Sequence, residues 1–315
     1  MKNSNLSPDH KQLVLGTALW GWGIERTQAY ELLEQFLLSG GTMVDTATNY
    51  PINKRQEDFG LAVRWIADWV SQNTSSKLAL TVKIGSKDNM GSPEVSLSPE
   101  DIDRASSTLH SQFGSALSCV SIHWDNRAED DIDGATIADT VEAMSRLEQQ
   151  GLGIGLSGIR HPELYYKADP SLSRKWAIQV KENLKTHAAR AAYEAWFPDA
   201  KYLAYGINLG GLKTEATKTN SSMELRNINI PQAFTQKLVD FLNEPHAFEP
   251  RPTTLNELAL AASFVNPSLS GIVIGPRNTD QLDNTLNYWK SLQAQADTST
   301  GQKVFTRLFE ELPSD

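Results

Sequence analysis

Cysteine is nearly missing from this chain: Cys119 is the single one in 315 residues. One thiol cannot close an intrachain disulfide, so a reducing, cytoplasmic compartment is expected. Its place inside a strand-like run reads as a small core residue rather than a nucleophile. Positive charge is also scarce. Lysine and arginine number 29 against 38 aspartates and glutamates, a formal net charge of -9. That mean field repels nucleic acid and anionic membranes, although it leaves room for one local basic pocket. No uninterrupted apolar stretch approaches the roughly 20 residues that span a bilayer. The opening residues, Met1 to Lys11, are polar and lack the apolar core of a secretion signal. There is no internal repeat, Walker loop or His-Glu-x-x-His spacing. The expectation is a soluble protein that acts on a small molecule, with no nucleic acid and no membrane as partner. Its oligomeric state is not legible.

What is present is a regular alternation. A hydrophobic content of 40% and a charged content of 21% suit a globular protein with an ample core. Strand-like runs end near positions 17, 45, 82, 122, 157, 180, 205 and 274, and most are separated by segments of helical periodicity. Helices are expected over 27–38, 57–70, 98–109, 137–150, 188–196 and 255–265. Ser98-Pro99-Glu100-Asp101 has the capping residue, first-turn proline and acidic start of a helix. The rhythm predicts a single (β/α)8 TIM barrel domain over 1–315. Long loops are expected near 161–174 and 213–251. The strands read as continuously apolar rather than alternating, as when both faces are covered.

Three of these runs stop at an ionisable residue. Thr42-Met43-Val44 ends at Asp45, with Tyr50 shortly after; Leu78 to Val82 ends at Lys83; Leu117 to Ile122 ends at His123, followed by Trp124. Parallel barrels collect catalytic groups at the carboxyl ends of their strands. Neighbouring strand ends lie about 5 Å apart, so these side chains can share one small volume. The combination makes chemical sense. A tyrosine can protonate a developing alkoxide if a lysine cation beside it favours the phenolate, and an aspartate keeps that lysine charged and in place. Singly, each residue has a plainer reading: Asp45 as a turn residue, Tyr50 as a surface ring, Lys83 as a snorkelling cation, His123 as a satisfied core histidine.

With these residues in place, the chain resembles the aldo-keto reductase superfamily. The resemblance rests on Val44-Asp45-Thr46-Ala47-Thr48-Asn49-Tyr50, Val82-Lys83 and Ile122-His123-Trp124. It extends through Leu15-Gly16-Thr17, Gly153-Ile154-Gly155-Leu156-Ser157, Gln179, Ala204-Tyr205 and the segment Gly275 to Leu282. It implies hydride transfer between a nicotinamide cofactor and a carbonyl, with catalytic Asp45, Tyr50, Lys83 and His123. Tyr50 would donate the proton, Lys83 would depress the tyrosine pKa from about 10, and His123 would orient the substrate oxygen. Cofactor contacts would fall on Gly16 and Thr17, on Ser157 and Gln179 for the nicotinamide carboxamide, and on Tyr205 for stacking. Gly206 through Leu212, including Asn208 and Leu209, would run beside the pyrophosphate.

The chain departs from the family pattern in places. Gly158 replaces the asparagine that usually follows the serine. Gly275 and Gln281 stand where many members carry cations for a 2′-phosphate, which leaves Arg277 as the nearby replacement. Thr285 takes the place of an asparagine, with Asn284 one position early. NADPH is the cofactor implied, with NADH as the alternative. Trp20, Trp22 and Trp124 would form an aromatic wall for a neutral carbonyl substrate. Two other readings keep the barrel: an aldolase forming a Schiff base on Lys83, and a cofactor-loaded regulatory subunit with little turnover.

Overall fold

The computed structural model describes residues 11–129, 134–211 and 230–312. Eight parallel strands pair in chain order and close on themselves: β1 (Gln12–Gly16), β2 (Met43–Ala47), β3 (Ala79–Ile84), β4 (Leu117–Ile122), β5 (Gly153–Ser157), β6 (Trp176–Lys181), β7 (Lys201–Tyr205) and β8 (Leu269–Ile274). Helices α1 (Arg26–Leu38), α2 (Leu61–Gln72), α3 (Pro99–Phe113), α4 (Ile137–Gln149), α5 (Pro162–Ala168) and α6 (Ala188–Glu194) follow β1 to β6 in turn. After β7 come α7 (Gln232–Asn243) and α8 (Leu255–Val265), and after β8 come α9 (Thr279–Gln295) and α10 (Thr298–Glu311). The (β/α)8 TIM barrel expected from the alternation is the fold observed.

The strands turn out to alternate, which corrects the continuous apolar reading. The Gln179 amide on β6 donates to Asp45 on β2, and two strands that far apart in the closed order meet only through the barrel interior. Asp45 therefore faces the lumen. By register and pleat, Thr81, Lys83, Ser121, Gly155, Ala177 and Gln179 share that face. Over β3 to β6 that face carries small and polar residues, and Val14, Leu203 and Val273 complete it on β1, β7 and β8. The other face carries Val44, Leu80, Val82, Val120, Ile122, Ile154, Leu156, Ile178 and Val180, all fully or almost fully buried beneath the helices. Burial of each such side chain contributes about 1.5–3 kcal/mol. On β3 to β6 the lumen residues look apolar in a sequence scan because several are Gly, Ala or Cys.

Local signals set the helix boundaries. Ser98 Oγ accepts from Asp101 N at 3.2 Å and Pro99 opens α3, as its sequence predicts. The expected 57–70 helix splits into a short 3-10 turn, Gln56–Asp58, and α2. The stretch 161–174, read as a loop, contains α5, whose Tyr165 is fully buried. The second long loop contains α7 from Gln232, and its part from 213 to 229 lies outside the described residues. No helix among the described residues is long and apolar enough to cross a membrane.

The lumen leaves no room for added volume at β5. A Cβ on Gly155 would sit 2.8 Å from Ser121 Oγ and 2.9 Å from the Ala177 carbonyl oxygen. One of these neighbours is backbone in a paired strand and cannot swing away. Gly155→Ala is therefore expected to destabilise the fold by about 1–3 kcal/mol, read as a lowered urea midpoint with an unchanged slope.

Candidate active site

The carboxyl ends of β2, β3 and β4 bring Asp45, Lys83 and His123 together, and the turn after β2 adds Tyr50. Asp45 is 4% exposed, Lys83 2% and His123 8%, so water does little of the solvating. Lys83 Nζ is ion-paired with Asp45 Oδ2. Gln179 Nε2 donates to Asp45 Oδ1 at 2.6 Å, and Lys83 Nζ donates to Gln179 Oε1 at 3.4 Å. Lys83 also hydrogen-bonds the Tyr50 hydroxyl, with its nitrogen 5.1 Å from that ring's centre. Burial alone would lower the lysine pKa, but the Asp45 carboxylate, helped by the Tyr50 hydroxyl, outweighs it and holds the ammonium above its usual value of 10.5.

His123 faces this group from β4. Its ring lies edge-on to Tyr50 at 5.3 Å and tilted against Trp124 at 4.4 Å. Burial, then the Lys83 cation, keeps the imidazole well below its ordinary 6.5, so the ring is neutral at physiological pH. Ser86 Oγ lies 3.2 Å from Nδ1 on one edge of the ring.

Two braces fix these groups. Asn89, fully buried in the loop after β3, donates to the carbonyls of Pro51 at 3.2 Å and Arg55 at 2.7 Å, and Asn49 donates to Asp88 O at 3.1 Å. The Tyr50 turn is thereby tied to its neighbour. Behind His123, Asp125 takes a two-pronged bond from Arg127 and a 2.7 Å bond from the Tyr165 hydroxyl. Arg127 continues to Thr140 Oγ1 at 2.9 Å on α4. Sequence reasoning missed these residues. The Leu164-Tyr165-Tyr166 run inside 161–174 is the one sequence signal for a buried helix there.

The expected cofactor residues divide. Thr17 is fully buried, and both its amide and its hydroxyl donate to Asp45 O at 3.0 Å, tying β1 to β2 beside Gly16. Ser157 and Gln179 are register partners on β5 and β6. Gln179 spends one amide hydrogen and one lone pair on Asp45 and Lys83, which leaves one of each for a ligand. Tyr205 is half-buried at the end of β7. Beyond it, Gly206, Leu209, Gly210 and Gly211 all have positive φ, a tight curl that glycine adopts at no steric cost. Asn208 bridges from this curl to Asn256, which donates to Thr285 Oγ1 at 3.2 Å. Asn208 Oδ1 is buried without a partner among the described residues. Leu212 lies outside them.

At the β8 end, a Cβ on Gly275 would meet nothing within 4 Å. Gln281 Oε1 accepts from Arg277 N at 3.0 Å and Gln281 N donates to the capping Asn278 Oδ1 at 2.9 Å, so its side chain serves the start of α9. Arg277 Nη2 reaches Gly23 O at 3.4 Å across the β1 loop. An open approach at Gly275, an orphaned acceptor on Asn208 and a curled glycine backbone suit a dinucleotide. Gly158 is explained by space: at φ +56°, a Cβ there would lie 3.1 Å from His123 O and Trp124 Cβ, so the usual asparagine would press on the histidine strand end. Of the expected aromatic wall, Trp22 and Trp124 are half-buried, whereas Trp20 is fully buried in the core and does not line the mouth.

The aldo/keto reductase family model matches residues 12–300. The chain belongs to that family. Among solved structures, the holo form of the aldo-keto reductase AKR11C1 from Bacillus halodurans is similar in fold, with a TM-score of 0.65 and 18% identity over 94% of this chain and 91% of that one. No curated protein matches the sequence.

Family and geometry together count against the Schiff-base reading. Such a lysine must be neutral to attack a carbonyl, and Lys83 is held as a cation. Cys119 is no nucleophile either, since burial pushes its thiol up to about 12. No cluster of metal-binding side chains exists among the described residues.

The buried neutral histidine couples stability to pH. The folded chain resists protonating His123, while the unfolded chain takes that proton near the ordinary 6.5. The stabilisation is thus present above about pH 6.5 and is lost as pH falls towards the folded-state value. Urea midpoints at about pH 7.5 and about pH 5.5 should show a smaller acid loss in His123→Gln than in the parent. The remaining loss includes His187 and His246, which burial also lowers.

Proposed function

We propose that this chain is an NAD(P)H-dependent oxidoreductase that reduces an aldehyde, ketone or sugar-like carbonyl to an alcohol, with Tyr50 as the proton donor. The observation that carries the reading is Lys83, which bonds both Asp45 and Tyr50 inside a water-poor barrel mouth that also holds a neutral imidazole. Ser157, Gln179, Tyr205, Gly206, Asn208, Leu209, Gly275, Arg277 and Gln281, with Gly16 and Thr17 at the β1 end, would hold the nicotinamide cofactor, which supplies the hydride when bound.

The chain's own part is charge management. As the carbonyl carbon is reduced, negative charge gathers on its oxygen, which needs a proton and nearby positive charge. Tyr50 gives the proton. Lys83, fixed by Asp45, stabilises the phenolate left behind. His123 is uncharged and directional: it offers a hydrogen bond to the same oxygen and sets the face presented, without competing as an acid. Trp22 and Trp124 furnish an apolar flank suited to an uncharged substrate. NADPH is the proposed cofactor, with the Arg277 fork as the group for a 2′-phosphate. A reducing, cytoplasmic setting accords with one thiol kept protonated in the core.

The test is loss of reduced-cofactor absorbance across a panel of aldehydes, ketones and sugars. Tyr50→Phe should lower kcat by about 100-fold or more, with cofactor affinity from fluorescence titration within about twofold of the parent, because only transition-state protonation is removed. Turnover equal to the parent would dismiss Tyr50 as the acid. Arg277→Ala should weaken NADPH by roughly tenfold, about 1.4 kcal/mol, and NADH far less. Equal losses for both would place the 2′-phosphate contact elsewhere.

A further inference from the structure

Ser86 is used by none of the steps above, yet it is buried, 7% exposed, and in contact with the ring that meets the substrate. It stands two residues past β3, where Ser86 pairs with Val95 in an antiparallel bridge and Ser96 N donates to Gly85 O at 2.7 Å. Its partner is fixed as well, since His123 N donates to Ile84 O at 3.0 Å. The 3.2 Å approach of Ser86 Oγ to His123 Nδ1 is thus set by two strand ends, not by a loose side chain.

A neutral imidazole carries one proton and one lone pair. If Nδ1 held the proton, Ser86 would accept it, and the serine's own hydroxyl hydrogen would be enclosed with nothing to receive it. Ser86 Oγ has no other hydrogen-bond partner among the described residues. If Ser86 donates to Nδ1, the one hydrogen left over is the Nε2–H, on a ring edge that is not sealed from a ligand, rather than one enclosed behind the ring, the cheaper arrangement. The proton then sits on Nε2, on the ring edge turned away from Ser86. An Nε2–H can donate to a carbonyl oxygen, whereas the other tautomer would set a lone pair against the oxygen's own.

We propose that Ser86 is a positioning residue that selects the Nε2–H tautomer of His123 and locks its ring, so that the histidine acts as a hydrogen-bond donor to the substrate oxygen. The catalytic consequence rests on the reductase reading; the tautomer itself does not.

The experiment uses the full chain labelled with 15N-histidine, with the His123 signal among the six histidines identified by its disappearance in His123→Gln. Couplings between ring nitrogens and carbon-bound protons report which nitrogen is protonated. The expected result is a proton on Nε2 alone in the parent and a mixed population in Ser86→Ala. With the best carbonyl substrate, kcat should fall about tenfold, the loss of roughly one net hydrogen bond in the transition state, and KM should change little. Ser86→Thr, which keeps the hydroxyl, should restore both readouts. A parent ring protonated on Nδ1, an unaltered tautomer in Ser86→Ala, or an altered tautomer with parental kcat would each overturn the proposal. If Ser86→Ala does not fold, the parent spectrum and Ser86→Thr still decide it. Failure of the reductase reading would show separately, as a parent protein that consumes no reduced cofactor with any carbonyl.

Discussion

The site depends on one ion pair that the barrel has taken out of water. An ammonium and a carboxylate buried together lose several kcal/mol each in hydration, and their attraction repays this only when further hydrogen bonds complete both shells. Here the completion is visible. Gln179 reaches across from β6 to Asp45, and Tyr50 occupies another face of the Lys83 ammonium. Leaving either charge without its partner would cost about 3–5 kcal/mol, so the pair constrains its own geometry tightly. The same constraint makes Tyr50 useful, because its hydroxyl completes the lysine's shell and cannot drift from it.

Around that pair the molecule spends buried polar groups on loop geometry. Asn89 and Asn49 bind carbonyls of the turn that carries Tyr50 and of its neighbouring loop, and Asp125, Arg127 and Tyr165 bind the segment just past His123 to α4 and α5. Neither group needs to touch a substrate. Their effect is that Tyr50 and His123 sit past the strand ends yet are tied by hydrogen bonds to neighbouring elements, the kind of fixed placement that proximity effects require.

Much of this was legible before any coordinates. The alternation of elements gave the barrel, and Asp45, Lys83 and His123 could be picked out because a charge at the end of an apolar run is costly unless it is used. Other parts were hidden for physical reasons. Small residues such as Gly155 and Ala177 look apolar in a row, so the lumen face could not be told from the helix face until the Gln179–Asp45 bond crossed it. Trp20 stands near Trp22 in sequence, but the turn between them sends one ring into the core and leaves the other half-exposed. Ser86, Asn89 and Tyr165 matter through partners distant in the chain, and a single sequence does not record such pairings. Gly158 could be seen as a departure, but its cause is the nearness of His123 and Trp124 across a strand boundary.

The lone cysteine has a practical side. Cys119 points into the barrel next to Thr81, and its thiol stays protonated far into alkaline solution. Alkylating reagents and oxidants react through the thiolate and need access, and this sulfur offers neither. A cysteine engineered at any exposed site would thus be the one reactive thiol on the molecule. Dyes, spin labels or crosslinkers could be attached there to report loop movement during turnover, with no need to strip out a native residue first.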